Sequence, residues 1–308
     1  MPELKREERK PAVGVARSPH PAVASLFSEC ANPGCRTSWV RLWRSRRYPV
    51  FEGKWACSAD CLEALVAMAV RREQGYRLPV SQPRRHRLPM GLMLVGQGRL
   101  ASSELQRALD QQRREAAESG TRIRLGEWLV RGGLLDEPAL TRALSAQWNC
   151  PILAVADDPP EAVAAALPRF LAETFGVLPL RTAWGRLLYV AYAGPIDRSV
   201  NYAMERIAGL RVIAGIAADG EFREGQARYL RTAAPRTRYL EAASPRALVR
   251  AIARIIEREK PADARLVRVH DMFWLRMWRQ RQRPAGLPAW SEVEDLLAAA
   301  GFSVPVSE

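Results

Sequence analysis

Four cysteines near the start of this 308-residue chain have the types and spacing that predict a metal site. Four residues separate Cys30 from Cys35, three separate Cys57 from Cys61, and 21 lie between the two pairs. Structural zinc is held by four such ligands in a tetrahedron, and close pairs of cysteines bring them together from two tight turns. We therefore expect a structural Zn²⁺ site here. Unligated reduced thiols and a redox or catalytic site are the alternatives.

The sequence around each pair predicts how the thiols are positioned. Pro33-Gly34 makes a turn inside the first pair, and residues 55–65 predict a strand, a turn and a helix that holds Cys61 in its first turn. The positive end of a helix favours a thiolate. This arrangement resembles a treble-clef zinc finger, which we place at residues 26–77. Cys150 stands alone and is expected to be a small buried residue.

A sequence repeat follows the cysteine module. Residues 88–112 align with residues 123–147 at a fixed offset of 35 positions and without a gap. The identical pairs are Gly91/Gly126, Leu94/Leu129, Val95/Val130, Gly98/Gly133, Leu100/Leu135, Leu105/Leu140, Arg107/Arg142, Ala108/Ala143, Leu109/Leu144 and Gln112/Gln147. Chance does not give ten identities in 25 positions, so both stretches are predicted to fold alike.

Each repeat predicts a short helix, a glycine break and a longer helix. In the second repeat Gly133 suits the left-handed position after a helix, and Asp136 suits the N-cap of the next one. Neither hairpin can bury its apolar face alone. We therefore expect the two hairpins to pack together as a helical subdomain over residues 88–148.

The rest of the chain predicts two α/β units. Residues 149–230 alternate helices and strands and predict a two-layer sandwich. Residues 231–238 predict a linker, and residues 240–308 predict a C-terminal α/β extension with a helix from Ser244, a strand at 265–270 and a short acidic helix at 291–300. Residues 1–25 predict a disordered tail. The fold class is α+β: a small zinc finger, a helical-hairpin repeat subdomain joined to a two-layer α/β sandwich, and a small C-terminal α/β unit.

The second repeat also carries a recognisable motif. From Arg124 to Gln147 it has the form Arg-Leu-Gly-x-x-Leu-Val-x-x-Gly-x-Leu, four spacers and Leu-x-x-Ala-Leu-x-x-Gln. With Phe175-Gly-Val-Leu-Pro-Leu180 and Gly194-Pro-Ile-Asp197 following in order, it resembles the N-terminal domain of the type II secretion and type IV pilus assembly ATPases. The resemblance covers roughly residues 88–230, just under half of the chain.

The resemblance implies a ligand, because some members of that family bind cyclic di-GMP with each motif embracing one half of it. The implied contacts are Arg87, Gly91, Leu94, Gly98 and Gln112 around the first motif, and Arg124, Gly126, Leu129, Gly133, Leu144 and Gln147 in the second. Such a ligand is flat and anionic. It can be bound by a guanidinium at the guanine edge or phosphate, by backbone N–H groups that neighbouring glycines leave accessible, and by apolar side chains against the base faces. The first motif departs from the pattern, since Pro89 takes the arginine position and Arg87 is the nearest substitute. Alternatively, the repeat binds no ligand, and its residues serve only to pack the two hairpins together and to dock a protein partner.

Catalytic patterns are missing from the sequence. The related ATPases carry a Gly-x-x-x-x-Gly-Lys-Ser/Thr phosphate loop, and none of Lys5, Lys10, Lys54 and Lys260 stands in such a context. Three histidines support no Ser/His/Asp or Cys/His arrangement. We therefore expect a non-catalytic regulatory or adaptor protein linked to a type II secretion or type IV pilus system, with assembly components as its protein partners.

The net charge of +14 adds a second functional hypothesis. Basic residues are concentrated in residues 1–87 and 225–290, whereas the middle of the chain is close to neutral. Arg44, Arg46 and Arg47 alternate with aromatic residues in a mix that suits phosphate contact and base stacking. Nucleic-acid binding by the cysteine module is therefore the alternative function, and a solvated basic surface is the simpler interpretation.

The hydropathy pattern predicts the compartment. The longest uninterrupted apolar run, Ala64 to Val70, has seven residues, against about 20 for a membrane-spanning helix. The charged N-terminus leads into no apolar region of the kind a signal peptide needs. We expect a cytoplasmic protein with no membrane span.

Overall fold

The computed structural model of the protein describes residues 30–35, 49–76, 88–120, 123–155, 161–280 and 287–300. The helices are α1 (Ala59–Gly75), α2 (Met90–Gly96), α3 (Ser102–Ser119), α4 (Leu125–Arg131), α5 (Glu137–Trp148), α6 (Arg169–Thr174), α7 (Arg198–Ala208), α8 (Asp219–Arg231) and α9 (Pro245–Glu259). The strands are β1 (Val50–Phe51), β2 (Lys54–Trp55), β3 (Val177–Ala183), β4 (Leu187–Tyr192), β5 (Arg211–Ile216), β6 (Arg236–Ala242), β7 (Asp263–Val269), β8 (Met272–Trp278) and β9 (Val293–Ala300). The mixed α/β content confirms the predicted fold class. The tail predicted at residues 1–25 lies outside the described residues.

The two repeats fold as the sequence predicts, each as a short helix followed by a long one. Gly98 and Gly133 adopt the same left-handed conformation after α2 and α4, with φ of 68° and 69°. The Asp136 side chain caps α5 by accepting a hydrogen bond from the backbone N–H of Ala139 at 2.6 Å. Their shared core contains the buried residues Leu94, Leu100, Leu105, Ala108, Leu129, Leu135, Ala139 and Ala143.

The α/β unit after the repeats contains a three-stranded sheet in the order β3-β4-β5, with β3 and β4 antiparallel and β4 and β5 parallel. Residues 151–153 run beside β5, where Leu153 N donates to Ile216 O at 2.8 Å and Ile216 N donates to Pro151 O at 2.9 Å. Gly215 permits this approach, since a Cβ there would lie 2.5 Å from the Pro151 carbonyl oxygen. The sheet is thereby tied directly to the end of the helical repeat.

The C-terminal unit is a four-stranded sheet in the order β6-β9-β8-β7. The acidic helix predicted at residues 291–300 is wrong, because these residues form β9, which pairs with β6 on one side and β8 on the other. Leu, Ala and Glu favour helices, but the pairing of a central strand overrides that weak preference. The predicted linker at residues 231–238 also needs correction, because β6 begins at Arg236.

Both faces of the C-terminal sheet are covered. On one face Phe273, Leu275 and Met277 of β8 pack in the same core as α1 and α9. On the opposite face Trp274 and Trp278 pack in the core of the α/β unit that contains β3, β4 and β5. The sheet is therefore a middle layer between the cysteine module and the α/β unit.

The cysteine module and the C-terminal unit share one hydrophobic core, although about 160 residues separate them in sequence. Its buried members include Leu62, Leu65, Val66, Val70, Leu248, Ile252 and Ile256. The β1–β2 hairpin joins β7 through Glu52 N to Ala264 O at 2.7 Å and Gly53 N to Asp263 Oδ1 at 2.9 Å. The helical repeat and the α/β unit are thus inserted, in chain order, between two parts of one unit.

Charged groups reinforce the shared core. Arg72 near the end of α1 donates to both carboxylate oxygens of Glu52, at 2.6 and 2.7 Å, and to Glu73. Glu73 is 1% exposed and accepts from the backbone N–H of Arg268 in β7 at 3.2 Å. The two carboxylates hold the pKa of Arg72 above its usual value, because they stabilise the charged guanidinium.

A buried ion pair fastens the C-terminal sheet to the α/β unit. Arg276 of β8 and Asp295 of β9 are both fully buried, with Nη2 and Oδ2 2.7 Å apart. Trp274 Nε1 donates to the same carboxylate at 2.8 Å, and Arg276 also donates to the backbone carbonyl of Ala165. Since the Ala165 carbonyl belongs to the α/β unit, the arginine bridges the two layers.

Candidate functional site

The four predicted metal ligands meet at one place. The Sγ atoms of Cys30, Cys35, Cys57 and Cys61 all lie within 4.8 Å of one another. The first pair belongs to a turn in which Cys35 N donates to Asn32 O at 2.9 Å. Cys57 follows β2, and Cys61 lies in the first turn of α1, where its N–H donates to the N-cap Ser58 Oγ at 3.2 Å. Turn, hairpin and helix thus supply the four thiols, in the order that the sequence predicts.

The sulfur positions fit a tetrahedral metal. Zn–S bonds of about 2.3 Å at tetrahedral angles place sulfurs about 3.8 Å apart. Cys57 Sγ lies 3.6 Å from both Cys35 Sγ and Cys61 Sγ, and Asn32 Nδ2 donates to Cys61 Sγ at 3.3 Å. Burial and the neighbouring thiols raise the pKa of Cys57 to about 12, whereas a bound cation favours the thiolate. A divalent metal bound here would therefore stabilise the Cys57 thiolate.

A second candidate site lies where the helical repeat meets the α/β unit. We call it the motif groove; α4 and α5 form one wall, and the loop 193–195 with the start of α8 forms the other. Its volume is about 840 Å³, within the usual range of pockets for small ligands. The lining residues are Met90, Arg124, Leu125, Gly126, Glu127, Val130, Arg131, Glu137, Leu140, Leu144, Gln147, Trp148, Ala193, Gly194, Pro195, Asp219, Gly220 and Arg223.

The groove contains some of the residues implied as ligand contacts and not others. Arg124, Gly126, Leu144 and Gln147 line it. Leu94 and Leu129 are instead fully buried in the repeat core, and Gly98 and Gly133 form the turns after the short helices. Gly91 and Gly126 let the short helices approach the long ones, since a Cβ at either would lie 2.7 Å from the Cδ1 of Leu105 or Leu140. Arg87 lies outside the described residues.

Gln112 and Gln147 join the repeats to each other. Gln112 is 5% exposed and donates from Nε2 to the Ile123 carbonyl at 2.5 Å. Gln147 donates from Nε2 to the Leu88 carbonyl at 3.1 Å. Gln112 therefore serves the packing of the repeats, whereas Gln147 also lines the groove.

Arg124 is the groove residue best placed to bind an anion or a base. Its guanidinium lies over Gly194 of the opposite wall, where a Cβ would come within 2.5 Å of Nη1. The side chain is exposed, and within the described part of the chain it forms no hydrogen bond or ion pair. Its five donors are thus free to bind a ligand.

The other charged groups of the groove are mostly engaged. Arg131 Nη1 lies 3.8 Å from Glu115, and Arg223 Nη2 lies 2.7 Å from Asp219. Glu137 Oε1 accepts from the backbone N–H of Gly220 at the start of α8, at 2.7 Å. The Glu127 side chain resembles that of Arg124 in forming no ion pair or hydrogen bond with any described residue. Arg124 and Glu127 are the uncommitted charges of the groove within the ranges that the structure describes.

Sequence reasoning identified four of the eighteen residues that line the groove and missed its second wall. Glu127, Asp219 and Arg223 were not predicted as site residues, and neither was the loop 193–195. Two signals existed: Gly194-Pro195 belongs to the segments that resemble the secretion ATPases, and Glu127 follows Arg124 at helical i, i+3 spacing. Neither signal reveals which part of the α/β unit covers the repeat.

The predicted nucleic-acid contacts Arg44, Arg46 and Arg47 lie outside the described residues. None of the helices in the described ranges is long and apolar enough to cross a membrane.

The chain is similar to three solved structures, each over about half of its length. A structure of MshE with cdg is 25% identical, covers 46% of this chain and 99% of its own, and has a TM-score of 0.38. Two structures of the N-terminal domain of XpsE are 22% and 23% identical, cover 45% and 49% of this chain and 92% and 99% of their own, and have TM-scores of 0.34 and 0.28. No family model and no curated protein matches the sequence.

Proposed function

We propose that this protein is a non-catalytic regulatory or adaptor protein that binds a guanine dinucleotide, cyclic di-GMP, in the motif groove and acts beside a type II secretion or type IV pilus system. The motif from Arg124 to Gln147 implies the ligand and the setting through its resemblance to the ATPases of those systems. Cyclic di-GMP is also the ligand of the MshE structure.

The observation that carries the proposal is the uncommitted guanidinium of Arg124 inside a groove of about 840 Å³. Arginine binds phosphate and the guanine edge through paired donors, so it suits either part of such a ligand. The groove also offers the apolar side chains of Leu125, Val130 and Leu144 for contact with a base. Two parts of the fold form the groove, so an occupant would contact both.

Calorimetric titration of the full chain with cyclic di-GMP tests this proposal. We expect binding with one ligand per chain, and we expect Arg124→Ala to weaken it by at least about tenfold, the effect of losing one good bidentate contact. Arg113→Ala is the matched control, because it removes the same charge from an exposed site on α3 outside the groove. Absence of binding to the unaltered protein, or equal binding by both variants, would refute the proposal.

We further propose that the four cysteines hold one structural Zn²⁺ ion. The donor set is all thiolate, the sulfur spacing suits a tetrahedron, and Asn32 adds an N–H···S contact that would orient Cys61. Four protein ligands leave no open position for a water or a substrate, so the role would be to stabilise the fold. Wild-type protein should contain about one zinc per chain, and Cys57→Ser should contain clearly less.

Metal analysis after cobalt exchange gives a second readout of the same site. Tetrahedral thiolate coordination should produce a strong sulfur-to-cobalt charge-transfer absorption, which Cys57→Ser alters and Cys150→Ser does not. Cys150 is the matched control, because it is the cysteine outside the cluster. Freshly purified protein with far less than one metal per chain would exclude a structural zinc.

A further inference from the structure

We propose that the motif groove reads a single guanine base, with Arg124 on one edge of the base and Glu127 on another, so that only one half of a guanine dinucleotide is specifically held. This inference rests on the proposed function and assigns its ligand contacts. Its basis is a difference between the two repeats, which share one backbone arrangement but present different side chains at the groove positions.

The four charged groove residues that the second repeat supplies have no charged counterparts in the first. At the offset of 35, Arg124, Glu127, Arg131 and Glu137 correspond to Pro89, Leu92, Gly96 and Ser102. Leu88 and Leu92 are 64% and 56% exposed, so the first repeat presents an apolar face at these positions. Among the described residues, the four counterpart positions 89, 92, 96 and 102 offer neither a guanidinium nor a carboxylate to a second base.

The charge balance of the groove also indicates that it can neutralise little negative charge on a ligand. Its three arginines face three carboxylates, and Arg223 and Arg131 already have acidic neighbours. Arg124 is left as one uncommitted cation, and Glu127 as one uncommitted anion. A ligand with two phosphates would find one free guanidinium among the described residues of the groove, which can neutralise one phosphate and not both.

The two uncommitted groups together match the edges of guanine. Arg124 immediately precedes α4 and Glu127 lies in its first turn, three residues further on, so both side chains belong to the same wall of the groove. Arginine pairs with the O6 and N7 acceptors of guanine, and a carboxylate accepts hydrogen bonds from its ring and amino N–H donors. Adenine carries an amino donor where guanine has O6, so Arg124 would meet a donor instead of an acceptor.

The test compares cyclic di-GMP, GMP and AMP by calorimetric titration of the full chain and of two variants. Glu127→Gln removes the carboxylate, and Leu92→Gln changes the corresponding exposed position of the first repeat. We expect GMP to bind within about tenfold of cyclic di-GMP and AMP to bind at least about tenfold more weakly than GMP. We expect Glu127→Gln to weaken GMP and cyclic di-GMP by the same factor, and Leu92→Gln to change neither.

Two other outcomes separate this inference from the proposed function. If cyclic di-GMP binds more than about tenfold more tightly than GMP, or if Leu92→Gln weakens it as Glu127→Gln does, both halves are read and the inference is overturned while the proposed function stands. If neither guanine ligand binds, the proposed function fails and the inference fails with it.

Discussion

Gln112 and Gln147 make reciprocal hydrogen bonds across the helical repeat. The Nε2 of Gln112, near the middle of α3, donates to the carbonyl of Ile123 just before α4, and the Nε2 of Gln147, at the end of α5, donates to the carbonyl of Leu88 just before α2. Donors and acceptors are each related by the same offset of 35 residues. Each repeat therefore fixes the start of the other, which explains why the pattern ends in glutamine whether or not a ligand binds.

The environments of these two glutamines predict different effects on substitution. Gln112 is buried, so Gln112→Ala should lower the free energy of unfolding by about 1–2 kcal/mol, because the Ile123 carbonyl loses its partner. Gln147 is half-buried at the groove, so Gln147→Ala should cost less than about 1 kcal/mol but should weaken cyclic di-GMP binding. Urea unfolding and calorimetry on both variants measure the contrast; equal stability losses would contradict it.

The position of the Arg124 guanidinium over Gly194 predicts a substitution that affects ligand binding but not stability. A methyl group at Gly194 would lie 2.5 Å from the mobile end of the Arg124 side chain, which can move aside at little cost. Gly194 is only half-buried, so Gly194→Ala should change the free energy of unfolding by less than about 0.5 kcal/mol, as substitutions outside the core usually do. It should nevertheless weaken cyclic di-GMP binding by displacing the guanidinium. Gly96→Ala is the control, because a Cβ there meets nothing within 4 Å.

Local signals explain how much of the molecule could be predicted from the sequence. The cap at Asp136, the left-handed conformation of Gly133 and the cysteine spacing are signals that short stretches of sequence carry, and the structure contains each of them. The motif likewise points to Arg124, which lines the groove. These features depend on short-range geometry, which the order of residues specifies directly.

The parts that could not be predicted depend on contacts between distant segments. The sequence of β9, Val-Glu-Asp-Leu-Leu-Ala-Ala-Ala, has the composition of a helix and becomes a strand because β6 and β8 pair with it. The apolar periodicity of α1 and of α9 shows that each helix has a buried face, but it does not show that the two faces pack against each other. The second wall of the groove was missed for the same reason.

The buried ion pair between the C-terminal sheet and the α/β unit predicts a large stability effect. Arg276→Met would leave the Asp295 carboxylate buried without its cation, which typically costs about 3–5 kcal/mol. Adding Asp295→Leu should recover part of that loss, because no buried charge remains. Arg113→Met, which breaks an exposed pair with Asp110, should cost less than about 0.5 kcal/mol in the same urea titrations. A loss below about 1 kcal/mol for Arg276→Met would contradict this role.

Burial of Tyr229 predicts loss of stability at high pH. Burial raises the pKa of the Tyr229 phenol above its usual value, and its hydroxyl donates to the Leu167 carbonyl at 2.9 Å. The unfolded chain ionises near pH 10 while the folded chain keeps the proton, so this contribution is complete below pH 10 and is lost as the pH rises further.

Tyr229→Phe tests this linkage. The variant should be about 1 kcal/mol less stable at pH 8, because the hydrogen bond to Leu167 is lost. The difference from the unaltered protein should shrink between pH 10 and 11, since phenylalanine cannot ionise. Denaturant titrations at a series of pH values measure both effects, and a difference that stays constant with pH would show that Tyr229 does not contribute.

The core shared by α1 and α9 predicts that the metal stabilises more than the cysteine module. Cys57→Ser, or a chelator, should loosen α1, and the loss should reach β7 and α9 because Arg72 and Glu73 connect α1 to β7 and the apolar side chains of α1 and α9 interlock. Hydrogen exchange should therefore rise together in residues 59–75, 245–259 and 263–269, whereas α3 and α5 should keep their protection. Cys150→Ser is the control and should leave the first three segments unchanged. Faster exchange confined to residues 49–76 would instead mean that the module is an independent finger that merely rests on the C-terminal sheet.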